Sequence, residues 1–298
     1  MRLPMPRLFL AALLLVGSSA PSPGLDLGIG GWAGNLGFRT DRTVTDATFP
    51  GADYFWGLSL YGSQQITDTL GFETGFYSDP VLRNTAYTLF DYSEKILSVG
   101  IGPFFGFFND TGTLLKSGIS TAIRVELPGI AFVSFRADSS IGGELVTVGD
   151  YLQERNDISF GFYVPNAICT LSLDQSKFEQ LQSTATVVDS LTEYSFSTDI
   201  FRKNVPYRLL VKLAYQSLSK SFIAATTSSA TLNSVVIGGQ LSLTVSSTVL
   251  FQAGMDGAVY SFGTGTLLGS APSLPFLFRA YTGLKVSASS IPLLNKLL

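Results

Sequence analysis

From Leu25 onward the chain alternates between apolar and polar positions, and in three places the alternation assigns every residue to a face. In Ile119–Leu127, the set Ile119, Thr121, Ile123, Val125 and Leu127 opposes Ser120, Ala122, Arg124 and Glu126. Tyr207–Tyr215 repeats the device, with Tyr207, Leu209, Val211, Leu213 and Tyr215 against Arg208, Leu210, Lys212 and Ala214. In Phe276–Ala288, the residues Phe278, Ala280, Thr282, Leu284 and Val286 oppose Arg279, Tyr281, Gly283 and Lys285. A period of two belongs to strands, whose side chains point to opposite faces in turn. The chain is therefore read as all-β, with an apolar face and a face that carries ionised groups.

The connections show a second regularity when followed back from the C-terminus. Long and tight segments alternate: Ser261–Pro275 long, Ser246–Thr248 tight, Ser217–Asn233 long, Arg202–Val205 short, Gln175–Asp189 long, Pro165–Asn166 tight, Ser139–Asn156 long and Pro128–Gly129 tight. Towards the N-terminus Asp110–Gly112, Asp91–Glu94 and Asp79–Asn84 are all shortish, Ile66–Asp68 is tight and Thr40–Ala52 is long. These breaks predict about fourteen strands, with twelve or sixteen as the neighbouring even counts.

Composition decides what medium the apolar faces meet. Only 14% of the 298 residues are charged and 46% are hydrophobic, against about 25% charged in an ordinary soluble domain. The longest apolar run, Leu8–Val16, falls short of the roughly 18 to 20 residues that a spanning helix needs. A closed strand barrel is the other way to satisfy every backbone N–H and C=O in lipid. The expected fold is a transmembrane antiparallel up-and-down β-barrel over residues 25–288, followed by a short tail over 289–298. A soluble exported β-sandwich or solenoid is the competing reading.

Residues 1–20 read as an export signal, with Arg2 and Arg7 before the apolar stretch and Gly17–Ala20 as a small-residue cleavage zone, the cut falling between 19 and 24. The single cysteine, Cys169, lies far from that zone, which argues against a lipid anchor there and allows no internal disulfide. It alternates with Leu171 and Leu173 on an apolar face, in a setting that leaves a thiol inert. With 19 basic and 22 acidic side chains, two of the basic ones in the leader, the chain offers no basic patch for nucleic acid. Aromatics gather near the inferred strand ends, among them Tyr54, Trp56, Tyr92, Tyr194 and Tyr207, as interfacial girdles would. Strands favour aromatics in any case, so this feature alone is weak.

Gly28-Ile29-Gly30-Gly31-Trp32-Ala33 matches the spacing of a dinucleotide fingerprint, but a strand before it and a helix after it are missing. It reads as glycine in a first barrel strand, as does Gly100-Ile101-Gly102-Pro103. Histidine is absent. A serine or cysteine relay through imidazole is thereby excluded, as is an imidazole metal site. Carboxylate pairs such as Glu73 with Glu126 are conceivable for glycosidase chemistry, although lining of the lumen is the plainer account. No catalytic, cofactor or metal site is expected.

The candidate lumen-lining set is Glu73, Arg124, Glu126, Arg136, Asp138, Arg208, Lys212, Asp256, Arg279 and Lys285. Two accounts fit it. The ionised side chains could form a constriction that selects solutes, or they could pair with one another across a closed interior. Mixed signs argue against strong ion selectivity.

In export signal, dyad repeat and loop alternation the mature chain resembles the porin-like bacterial outer-membrane proteins. That resemblance implies residence in the outer membrane, contact with its lipid, assembly by barrel-insertion machinery, and passive diffusion of small solutes through the lumen. The chain departs from the pattern in lacking a terminal aromatic strand end, continuing instead through Ser289, Ser290 and Pro292 to Leu298. Strand count and apolar content resemble the long-chain fatty acid transporters, but a first strand near Leu25 leaves no room for their N-terminal hatch. Known outer-membrane barrel enzymes resemble one another in using a catalytic His, which is absent here. A non-conducting adhesin or structural barrel, and a transporter of hydrophobic compounds, are the alternative functions.

Overall fold

A computed structural model describes residues 25–36, 54–107, 115–142, 145–183, 185–265 and 276–287. The expected leader, the Thr40–Ala52 loop and the 289–298 tail lie outside these residues. Fourteen strands follow in chain order: β1 (Leu25–Gly34), β2 (Phe55–Gln65), β3 (Leu70–Asp79), β4 (Arg83–Glu94), β5 (Leu97–Phe107), β6 (Leu115–Leu127), β7 (Ala131–Ser140), β8 (Tyr151–Val164), β9 (Ala167–Leu181), β10 (Thr186–Phe201), β11 (Tyr207–Ile223), β12 (Thr227–Ser246), β13 (Val249–Thr264) and β14 (Phe278–Ser287). Each pairs antiparallel with its neighbours in sequence, and β1 closes on β14 through Gly28↔Lys285, Gly30↔Gly283 and Trp32↔Tyr281. Over the span where neighbouring strands pair, closure removes the open sheet edge whose unpaired backbone groups lipid would penalise by several kcal/mol each.

Every strand places at least one large apolar side chain on the outer surface, from Ile29 on β1 through Phe90, Val133, Leu171, Leu213 and Leu241 to Leu284 on β14. A soluble protein seldom exposes an apolar patch of more than a few hundred Å², so a continuous belt of this kind faces a bilayer. Tyr194, Tyr215, Val235 and Tyr260 stand in one register row across β10 to β13. Beyond that row towards the β11–β12 turn, the outward residues become mostly polar, as at Ser190 and Thr192, Ser217 and Ser219, Thr231 and Asn233, with Val188, Ile223 and Phe262 as apolar exceptions. The row marks the outer edge of the lipid belt.

This boundary corrects two expected loops. Ser217–Asn233 and Gln175–Asp189 are mostly strand: β11 runs to Ile223 and β12 resumes at Thr227, while β9 runs to Leu181 and β10 resumes at Thr186. Their serines and threonines face water above the bilayer, and the alternate positions Leu218, Phe222 and Leu232 are buried inside. Polar outward residues therefore signal departure from lipid, not the end of a strand. Smaller corrections follow. Asp91–Glu94 belongs to β4, and the turn sits at 95–96 with Lys95 at φ 50°. Ser139–Asn156 contracts to 141–150 and Asp79–Asn84 to 80–82. At Pro165–Asn166 the tight turn stands, since proline presets the first position and Asn166 takes the left-handed second one at φ 62°.

Candidate functional site: the barrel interior

The strand registers place all ten candidate residues on the inward side of the wall, and each belongs to an ion pair. At the inner rim, taken as the end carrying the β10–β11 turn, Arg124 meets Glu126 at 2.8 Å, Lys285 meets Asp26 at 2.7 Å, and Arg208 pairs with Asp199. At mid-depth Arg279 meets Asp256 at 2.9 Å, and Lys212 lies 2.6 Å from Glu193 and 3.9 Å from Asp256. These pairs run along the wall, within a strand or between strands close in the barrel order.

Arg136 is different. It stands on β7, 3.6 Å from Glu73 on β3 and 3.8 Å from Asp138 on its own strand, with its guanidinium 4.1 Å from the Tyr87 ring centroid on β4. The Tyr77 hydroxyl on β3 donates to Asp138, and Arg155 on β8 lies 5.3 Å from the Tyr77 ring. The β3–β4 hairpin therefore leans on the β7–β8 wall and narrows the lumen. On the β4–β8 side a cleft of about 180 Å³ remains, lined by Asp91, Ser98, Arg124, Arg136, Asp157 and Ser159 among others.

The outer mouth is filled. The turn between β3 and β4 folds inward, leaving Val81 and Leu82 each 1% exposed against Phe178, Leu218 and Leu232. Asp79 holds the bend by accepting from the backbone N–H groups of Val81 and Leu82 at 2.7 Å each. Lys116 on β6 donates to the Leu82 carbonyl, to Thr85 Oγ1 at 2.7 Å and to Gln153 Oε1 at 2.7 Å. From the next position, Arg83 reaches Asp189 on the far wall at 3.7 Å and lies 5.1 Å from the Phe178 ring. Lys220 completes that group at 3.0 Å from Asp189. Leu36 and Leu277 join the same buried cluster, with Asn35 bridging to the backbone of Phe276 and Phe278.

Burial follows a gradient from one end to the other. Side chains of the inner rim are solvated, Arg208 at 47%, Lys285 at 40% and Arg124 at 39% exposure, whereas Asp189, Lys220 and Asp138 are at 4%, 3% and 0%. An ion pair so buried is fixed by its partners, because removing one leaves an uncompensated charge in a dry interior.

Alternation in the sequence identified ten inward charges and passed over Asp26, Arg83, Lys116, Arg155, Asp157, Asp189, Glu193 and Lys220. Lys220 and Asp189 fell inside expected loops. Yet Lys220 keeps the parity of Lys212, and that is the signal by which it could have been found. The inward turn at Val81–Leu82 has no signal of period at all.

No family model and no curated protein matches the chain. Among solved structures, an outer membrane channel from Pseudomonas putida is similar at 10% identity and a TM-score of 0.47, covering 90% of this chain and 97% of that one. A bacterial polysaccharide outer membrane secretin gives 9% identity and 0.45, covering 88% and 97%. The Ralstonia pickettii toluene transporter TbuX gives 7% and 0.39, covering 89% and 90%. At these values the assignment stands on the chain's own closed pairing and lipid belt: it is a fourteen-stranded antiparallel barrel with the apolar outer face of a membrane-spanning protein.

Proposed function

We propose that the protein is an outer-membrane channel for passive diffusion of small polar solutes, with its outer mouth closed in this state. What carries this reading is the gradient inside the barrel: a solvated, charge-balanced inner half beneath a cap to which, among the described residues, the inward turn at Val81–Leu82 contributes with Leu36 and Leu277. Among the described residues its polar anchors include Lys116 on Leu82 and Arg83 on Asp189. A turn anchored this way can swing without opening the strand ladder. Below it, paired charges of both signs wet the lumen but give neither ion sign an advantage.

The same dry outer half also supports a second reading, a non-conducting surface barrel whose tall hydrophilic wall on β9–β12 meets partners outside the cell. Single-channel recording in a planar bilayer separates the two. Val81→Ser with Leu82→Ser should raise the frequency of discrete conductance steps over the parent protein, and Arg279→Ala should change their size. Silence from every variant that shows heat-modifiable gel migration, and so is folded, removes the channel reading and leaves the surface role.

A further inference from the structure

A second cleft, of about 240 Å³, opens inside the barrel where β12, β13, β14, β1 and β2 run side by side. Its floor is glycine. Gly283 pairs with Gly30 across β14 and β1, and Lys285 pairs with Gly28, which in turn pairs with Tyr61 on β2. A Cβ at Gly283 would meet nothing closer than 3.5 Å, so the β14 side of the floor is clear, while one at Gly30 would meet Ser59 Oγ at 2.8 Å.

Two tyrosines bound it. Tyr281 lies over Gly254, with ring atoms 2.5 and 2.6 Å from where a Cβ would sit, and Tyr61 begins directly over Gly28. The Tyr281 ring laid against the wall turns its other face to the lumen, and the Lys285 ammonium stands 5.9 Å from the centroid of the Tyr61 ring. Two amides stand to one side: Gln240 and Gln252 both donate through Nε2 to Ser242 Oγ, at 3.2 and 3.3 Å. With the nitrogens so engaged, both Oε1 atoms are available as acceptors. Gln252 Oε1 lies 3.8 Å from the Cβ position of Gly283, over the floor itself. Lys285 supplies donors at the rim, and its charge is cancelled by Asp26 at 2.7 Å.

We propose that this cleft is a binding subsite for a neutral, ring-shaped polyhydroxylated solute of the monosaccharide class. Each feature selects for that chemistry. Aromatic faces stack on the C–H face of a sugar ring, while hydroxyl groups both donate to amide oxygens and accept from an ammonium. An ionised solute gains nothing from a cancelled charge. A purely apolar one leaves the amide oxygens and the Lys285–Asp26 pair without the partners they have in water. The volume is below the roughly 300 Å³ at which drug-sized pockets begin, as suits one small ring.

This inference rests on the channel reading for its use to the cell, but its test does not involve conduction. Binding is read by titration calorimetry, because the Trp32 indole lies over Gly57 and donates to the Ser78 carbonyl on β3, away from the cleft. Full-length protein, in an amine-oxide detergent without a sugar headgroup, is titrated with glucose, with benzyl alcohol and with phosphate. A saturable binding heat for glucose in the millimolar range is expected, weakened about tenfold by Tyr61→Ala and again by Gly283→Leu, which fills the floor and removes no polar group. No response to glucose, tighter binding of either other solute, or glucose binding indifferent to Gly283→Leu in a folded barrel overturns the subsite. Glucose binding with a silent bilayer overturns the channel alone, and conductance without glucose binding overturns the subsite alone.

Discussion

The wall formed by β9 to β12 and the wall formed by the other strands face the same lipid and the same lumen, and they are built differently. Along β9–β12 the strands run 15, 16, 17 and 20 residues, well past the tyrosine row, with hydroxyl side chains outward and an inner face on which Leu218, Phe222 and Leu232 stand beside the buried charges Asp189, Glu193 and Lys220. On the other wall the strands run from 10 to 16 residues, and their inner face carries aromatic rings paired with glycine: Trp32 with Gly57, Tyr87 with Gly75, Phe104 with Gly118, Phe132 with Gly161, and Tyr281 with Gly254. In each, ring atoms lie within 2.6 Å of where a glycine Cβ would be. The ring recovers contact that the glycine lacks, and a flat wall leaves room in the lumen. Among the described residues β9–β12 have no such pair. The tall wall fills its interior with buried apolar side chains and ion pairs together, whereas the low wall lays rings flat on its glycines.

The contrast can be broken most strongly at Asp189, where the tall wall holds the cap. Asp189→Ala leaves Lys220 and Arg83 without their shared carboxylate, and should cost about 3 to 5 kcal/mol in urea unfolding followed by tyrosine and tryptophan fluorescence. A value near zero would mean that the outer interior is wet. Position relative to the tyrosine row comes next. Leu241→Arg, in the middle of the belt, should destabilise by about 2 to 4 kcal/mol, and Ser219→Arg, above the row, by about 0 to 1; equal costs in lipid-refolding titrations would displace the membrane edge drawn here.

On the low wall, Gly118→Ala drives a Cβ to 2.2 Å from the Phe104 ring and 2.3 Å from the Ser139 carbonyl. An overpacking cost of about 1 to 3 kcal/mol is expected. Gly239→Ala, whose nearest neighbour is the Leu210 carbonyl at 3.9 Å, should stay within about 0.5 kcal/mol. Equal effects at the two sites would show that the rings do not rest on their glycines. The smallest effect belongs to the β7–β8 loop. There Asp150 accepts from the backbone N–H groups of Thr147 and Val146 and from the Thr147 hydroxyl, and the Thr147 N–H leads in holding its carboxyl below the usual aspartate range. A depressed carboxyl stabilises the loop above the unfolded value, and the benefit is lost as pH falls through the folded one. Exchange of the Val146 and Thr147 amide protons should therefore accelerate only below the ordinary aspartate range, and lose that pH dependence in Asp150→Asn.

How much of this was legible in the chain follows from which forces are local. The faces of β6, β11 and β14 could be read outright, because lipid on one side and lumen on the other impose a period of two on neighbouring residues. The turns at 128–130 and 165–166 could be read for a similar reason, since Gly129 at φ 71° and Asn166 at φ 62° are what a tight reversal requires. The upper halves of β10 to β12 could not. Above the bilayer both loop and strand are polar outward, so hydroxyl-rich segments look alike until the pairing partner is known.

By itself the sequence determined an all-β chain with a lipid-facing and a lumen-facing side, a strand number near fourteen and the inward position of ten charges, since each depends on residue type at fixed spacing. Only the tertiary structure decided which charges are paired and with what, that the β3–β4 turn folds in to close the outer mouth, and that a cleft with glycine at its floor lies beside β14. These depend on contacts between residues far apart in the chain, such as Arg83 with Asp189 and Lys116 with Gln153. Closing the barrel creates those contacts, and no local pattern of residues specifies them.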